Sequence, residues 1–325
     1  MSDYGDVFDQ IRTATAEVAR RARFVHLIET QLAPYAALLA ASGLPTPVYD
    51  TAHHSRGDAA DTVSFLLALD TVNFGSGYFP QLRKRPAMSG YYTVASSLKD
   101  RWERGGPLAG YELRAIDADD CTVLFGQEGN VGPVQELMAL FAKSLNDLGM
   151  WLGNYYDDDP LGPIADADHS VARLIELVAE MPYFRDISSY EDLEVRVPLY
   201  KRAQLLAADL AIAFDGRGPG SFHDLDRLTL FADNLVPHVL RIDGLLGYDP
   251  GLLARIEREE LIPAGSPEEI EIRAVAVHAV ERIVSDLRAS GTPTTARELD
   301  YLFWNRGQGA AYKALHRHRT RTVFY

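Results

Sequence analysis

Apolar residues recur three and four positions apart along most of this chain, and that spacing predicts helices. The clearest case follows Ser266-Pro267-Glu268-Glu269, where Ile270, Ala274, Val277, Val280, Val284 and Leu287 share one face. Serine at the cap, proline at the first helical position and glutamate three residues after the cap mark its start, and Gly291 and Pro293 mark its end. Pro133 opens a second segment, with Val134, Leu137, Met138, Phe141, Leu145 and Leu148 on one face and Gly149 as a natural stop. Further helices are expected over 14–41, 59–71, 89–103, 171–180, 198–214 and 252–259. The segment 198–214 is apolar on nearly every side, which suits a central helix.

Only 111–116 and 121–125, flanking Asp117-Ala118-Asp119-Asp120, read as strands, and together they suggest a small β hairpin. Strands and helices do not alternate as a doubly wound sheet requires. The expected fold class is therefore mainly α, a compact multi-helix fold of two packed helical lobes with one small hairpin. No repeat, low-complexity tract or composition shift marks a boundary, so residues 1–325 are read as a single helical domain.

Composition narrows the function. With 325 residues and 47% hydrophobic content the chain can bury a large core. No run approaches the roughly 20 apolar residues of a membrane helix, and the chain starts acidic and polar rather than as a leader. A cytoplasmic protein with no membrane partner is expected. The lone cysteine, Cys121, agrees with a reducing compartment. A formal net charge of −14 argues against gripping polymeric nucleic acid, whose affinity comes mostly from lysine and arginine on phosphate. A single nucleotide needs only a few local cations.

The most informative stretch is Leu228 to Pro237, which sets Asp233 among apolar residues two positions after Phe231. Such an aspartate either caps a short helix or is a working carboxylate. Tyr200-Lys201-Arg202 puts cations at the start of a buried helix, against its dipole, so they need an anion. Asp209, a nearby glutamate or a ligand phosphate would serve. The basic His316 to Arg321 precedes apolar Val323-Phe324-Tyr325, which suggests that this end docks back on the body with cations such as Arg319 or Arg321 facing inward. His223-Asp224, with His53 or His54 and Asp243, invites a metal-phosphohydrolase reading, against which Asp224 as a cap of the following helix is the simpler account. The glycines around Gly75 and from Gly126 to Gly132 lack the residues of a nucleophile elbow or a P-loop and read as turns.

Five segments in order carry a family resemblance: Leu69-Asp70-Thr71-Val72-Asn73-Phe74, Tyr200 to Asp209, Phe231-Ala232-Asp233, Asp300-Tyr301-Leu302-Phe303-Trp304-Asn305, and His318-Arg319-Thr320-Arg321-Thr322. Together, from about Val48 to Tyr325, they resemble the queuosine salvage proteins, queuosine 5′-phosphate N-glycosylase/hydrolases that release queuine from its nucleotide. The resemblance implies a fold like that of helical DNA glycosylases, with no cofactor and no metal. It implies that Asp233 meets the oxocarbenium charge that builds on the ribose as C1′–N9 breaks, as nucleophile or as ion-pair partner. A 7-deazapurine lacks the N7 that a purine offers for protonation, so the carboxylate must do more. Phe231 would pack on the base, and His53 or His54 with Asp300 and Tyr301 would bind it. Lys201 and Arg202 are the candidate phosphate contacts. Where the family has a further aspartate this chain has Asn305, which leaves a neutral contact, and Gly75-Ser76-Gly77-Tyr78 replaces a bulkier aromatic pair. Beside this reading stand a metal-dependent phosphohydrolase built on His223-Asp224 and a non-catalytic module that only binds a modified base.

Overall fold

The long helix Pro267–Ala289 is buried on almost every side, and its core positions belong to a cluster that also takes in Ile11, Leu39, Val239 and Phe303. The structure, a computed structural model, describes residues 6–325; the start of the chain, on which the reading of no leader rests, lies outside them save for Asp6. The chain divides into two compact units.

The first unit comprises residues up to 47 with Asp186–Lys201 and Asp226–Arg321. Helices Val7–Arg21 and Glu29–Ser42 pack on Pro267–Ala289. Between those two helices the chain forms strand Val25–Leu27, antiparallel to Leu246–Tyr248 with Val25 opposite Tyr248. This interrupts the single helix expected over 14–41. A buried carboxylate fixes the break: Glu271 accepts the backbone N–H groups of Arg23, Phe24 and Val25 and the hydroxyl of Tyr190. Strands Ile187–Tyr190 and Val195–Pro198 form a hairpin through a short 3-10 turn. Helix Ala296–Arg306, capped by Thr295, packs against Val236–Ile242.

The second unit comprises Val48–Arg185, Arg202–Leu225 and Thr322–Tyr325. Helix Pro133–Tyr156 runs through it and packs against Ala59–Thr71, Gly110–Ala115 and Ala118–Leu124. Gly149 lies inside this helix rather than ending it, because a Cβ there would come within 2.7 Å of Leu113 and 2.9 Å of the Arg114 backbone. The glycine serves close helix approach. The hairpin expected over 111–125 is instead two short helices. Asp117 accepts the N–H groups of Asp119 and Asp120, and Asp120 accepts that of Asp117, so the acidic cluster is a reciprocal helix cap and not a turn. The fold is mainly α as expected, with its hairpin elsewhere, at 187–198.

Three other expected helices are close to those found: Ala59–Thr71, Gly90–Gly105 and Val171–Val178. Lys201–Ala213 begins later than expected because Pro198 ends a strand and Tyr200 is left-handed at φ 47°. The end of the chain docks as anticipated: Tyr325 is buried, and its carbonyl accepts the N–H groups of Gly75 and Ser76. Among the described residues no helix is long and apolar enough to cross a membrane.

Candidate active site

Residues 228–234 run through the interior of the first unit without regular secondary structure, all but Asp233 buried. Buried irregular backbone must find its hydrogen bonds in side chains, and here it does. The N–H of Phe231 donates to Asp300 Oδ1 at 3.1 Å, and the carbonyl of Ala232 accepts from Arg273 Nε at 2.9 Å. Asn234 Nδ2 donates to the carbonyl of His318.

Asp233 stands where this loop enters helix Val236–Ile242. Its Oδ1 accepts the N–H groups of Leu235 at 2.7 Å and Val236 at 3.0 Å, whereas Oδ2 carries no hydrogen bond among the described residues. Of the two roles open to it in sequence, the structure shows the cap: one oxygen caps the helix and orients the carboxylate, and the other makes no hydrogen bond among the described residues.

Asp300, on helix Ala296–Arg306, is 8% exposed. Burial first, and then the charge of Asp233, push its carboxyl well above the ordinary aspartate range, with the Phe231 N–H and Lys201 pulling the other way. Two carboxyl groups in unlike environments therefore interact here, and burial favours the protonated form of Asp300. Lys201, buried at the start of its helix, belongs to the same set of interacting charges.

A cation that the sequence reading passed over lies beside them. Arg317 interacts electrostatically with Asp233, and burial lowers its pKa. Among the described residues its side chain makes no hydrogen bond or ion pair. Arg319 Nη1 lies 3.9 Å from Glu259 Oε1. His318 is buried, and desolvation with neighbouring cations pushes it down to about 3, so it is neutral.

The structure does not bear out every assignment. Arg202 lies in the second unit, not with Lys201 in the first, and is buried between the rings of Phe74 and Phe184. Its terminal nitrogens donate to four backbone carbonyls, those of Asp70, Thr71, Tyr183 and Val323. A guanidinium so engaged ties the C-terminal segment to its unit, and the phosphate role falls away. Asn305 is exposed, and its amide donates to the carbonyl of Tyr301 at 2.7 Å, so it is occupied one turn back on its own helix.

The two histidines separate clearly within the second unit. His54 Nε2 lies 2.8 Å from the Tyr91 hydroxyl, and burial lowers its pKa to about 4. His53 keeps part of its ring exposed, stacks on Tyr92 at 4.1 Å and pairs through Nδ1 with Asp50 at 2.7 Å.

The proposed metal ligands have other duties. Asp224 accepts the N–H groups of Val171 and Ala172 and the Ser170 hydroxyl, capping helix Val171–Val178 some fifty residues earlier rather than the helix that follows. Asp243 accepts from the hydroxyls of Tyr35 and Tyr312 and from Arg306.

Comparison with known proteins bears on the whole arrangement. A family model described as queuosine salvage protein matches residues 52–325. A Sphaerobacter thermophilus protein named queuosine 5′-phosphate N-glycosylase/hydrolase is 38% identical over the full length of both chains. Proteins of the same name from Dictyostelium discoideum and Bos taurus are 36% and 28% identical, covering 81% and 83% of this chain and 78% and 83% of their own. With the family model covering most of the chain, Asp233, Asp300 and Lys201 included, this protein belongs to the queuosine salvage protein family.

Proposed function

We propose that this protein is a ribonucleotide N-glycosyl hydrolase that cleaves queuosine 5′-monophosphate to queuine and ribose 5-phosphate. The observation that carries the reading is the Asp233 carboxylate, oriented through Oδ1 by two backbone N–H groups with Oδ2 left to act, beside a second carboxyl at Asp300. The names of the full-length relatives support the same reaction. As C1′–N9 breaks, positive charge builds on the ribose, and an anionic oxygen already fixed in place stabilises it without reorganising. Phe231 offers an apolar ring to the base. Asp300 offers a carboxyl to the base's N–H edge, and Tyr301 follows it on the same helix. Lys201, with Arg317, provides cations for the 5′-phosphate. The partner is a small molecule rather than a polymer or a membrane, and the setting is cytoplasmic, as the net charge and the single buried cysteine suggest.

The test is direct. Purified protein incubated with queuosine 5′-monophosphate should yield queuine and ribose 5-phosphate in equal amounts by chromatography. Release of inorganic phosphate with the nucleoside left intact would favour a phosphohydrolase, and binding without products would favour a non-catalytic module.

A further inference from the structure

Arg273 and Asp186 form an ion pair buried to about 1% and 3% side-chain exposure. Arg273 Nη1 donates to Asp186 Oδ1 at 3.0 Å and Nη2 to Oδ2 at 2.6 Å, while Nε donates to the carbonyl of Ala232 at 2.9 Å. Ala232 immediately precedes Asp233. Asp186 in turn holds the start of the Lys201 helix: its Oδ2 accepts the N–H of Lys201 at 3.1 Å, and its carbonyl accepts those of Leu199 and Tyr200 at 2.9 and 3.2 Å. Tyr200 has a left-handed backbone, unfavourable for a residue with a Cβ. That turn is over-determined by Asp186.

A buried ion pair is weak evidence of stability, since desolvation offsets most of its attraction. What a planar guanidinium supplies is direction, because its donors lie in one plane at fixed angles. Here those donors join the loop that carries Asp233 to the turn that presents Lys201. The two segments are separated by about thirty residues of sequence and are linked through the Arg273–Asp186 pair.

We propose that Arg273, through Asp186, is a positioning residue that sets the spacing between Lys201 and Asp233, and so between the 5′-phosphate and C1′ of the bound nucleotide. The inference rests on the reading of Asp233 as the reacting carboxylate and Lys201 as a phosphate contact. A misplacement of about 1 Å can cost on the order of a hundredfold in rate. A phosphate anchored at the wrong distance still binds but no longer presses the ribose onto Asp233. A nucleoside, which has no such anchor, settles against Asp233 by itself.

The test is steady-state kinetics of the wild type, Arg273→Lys and Asp233→Asn on queuosine 5′-monophosphate and on queuosine. For Arg273→Lys, kcat on the nucleotide should fall at least about thirtyfold with KM changed less than about threefold, while kcat on the nucleoside falls far less. If Arg273→Lys slows both substrates by the same factor, or neither, the inference is overturned, because a residue that serves only the fold changes the active fraction alike for both. Should Arg273→Lys not fold, Asp186→Asn is read in the same way; failure of both to fold would also overturn it, by making the pair a requirement of folding. A wild type inactive on both substrates, or an Asp233→Asn variant as active as wild type, would remove the functional reading and this inference together.

Discussion

Asp233→Asn separates the capping duty of this side chain from the catalytic duty proposed for it. In the native protein Oδ1 caps helix Val236–Ile242 through the N–H groups of Leu235 and Val236, while Oδ2 carries no hydrogen bond among the described residues. An asparagine can turn its carbonyl oxygen to the same two donors, and asparagine caps about as well as aspartate. The fold should lose only a few tenths of a kcal/mol. Alanine at this position removes the cap and should cost about 1 kcal/mol, a shift of a few degrees in Tm. For catalysis the amide group replaces the anionic oxygen where positive charge develops. Losing a preorganised charge-stabilising group costs about a hundredfold to a thousandfold, or roughly 2.7–4 kcal/mol of barrier.

The variant should therefore melt like wild type, bind queuine, and release it from the nucleotide at least about a hundred times more slowly. The assay is single-turnover release of queuine by chromatography, with enzyme in excess so that product release does not mask chemistry. A rate within about threefold of wild type would refute the assignment, since no compensation of that size is expected for a lost charge. The substitution also has a second effect to measure. The Asp233 charge is one of the causes that raise Asp300, so removing it should bring the Asp300 carboxyl down toward its ordinary range.

Three further outcomes follow from the same geometry. Asp300→Asn should raise Tm at pH 7.5 and leave it unchanged near pH 3, because a carboxyl whose folded pKa is raised contributes stability that is present below the unfolded value and lost as pH rises toward the folded one; a difference constant with pH would count against this. Wild type should cleave the 5′-monophosphate with kcat/KM at least about tenfold above the nucleoside, the equivalent of one charge-assisted hydrogen bond of about 1.5 kcal/mol, and Lys201→Ala should shrink that ratio, whereas an unchanged ratio would place the phosphate elsewhere. Asp224→Ala should lose about 1 kcal/mol of stability through its cap on Val171–Val178, with kcat intact and activity indifferent to EDTA; loss of turnover on chelation, restored by a divalent ion, would reinstate the phosphohydrolase.

Much of the helical architecture was legible because periodic burial and caps act within a few residues. Ser266 and the apolar stripe after it specify a helix through local hydrogen bonds and one face of packing. The failures share a cause. The Asp117 cluster carries the residue types of a turn and of a reciprocal cap alike, and only the packing of Leu113 and Cys121 beneath it decides for helices. Gly149 ends helices by its backbone freedom, yet here it is used for its missing Cβ against Leu113. In each case the residue's local preference had two solutions and tertiary contact selected one.

The candidate site divides along the same line. Asp233, Phe231, Asp300 and Lys201 could be named in sequence because each sits in a short segment of family likeness, and the first unit brings these four together. Arg202, adjacent to Lys201 in the same segment, carries the same residue-type argument for a phosphate; its terminal nitrogens donate to main-chain carbonyls, which no sequence displays. Arg273 and Glu271 did leave a trace, since both stand among the apolar residues Ile270, Ile272, Ala274 and Val275 of this helix, and a buried charge must be paired. Apart from Glu269, one turn away from Arg273, the partners named above lie from 41 to 248 residues away, so the trace shows that a buried contact exists without showing to what. Of the groups proposed to act on a substrate, Asp233, Asp300 and Lys201 are therefore the readable ones, and Arg317 is not. The groups that hold them at the right distance are read only once the chain has folded, and here the same helix supplies Glu271 to fix the break after Arg21 and Arg273 to fix the loop before Asp233.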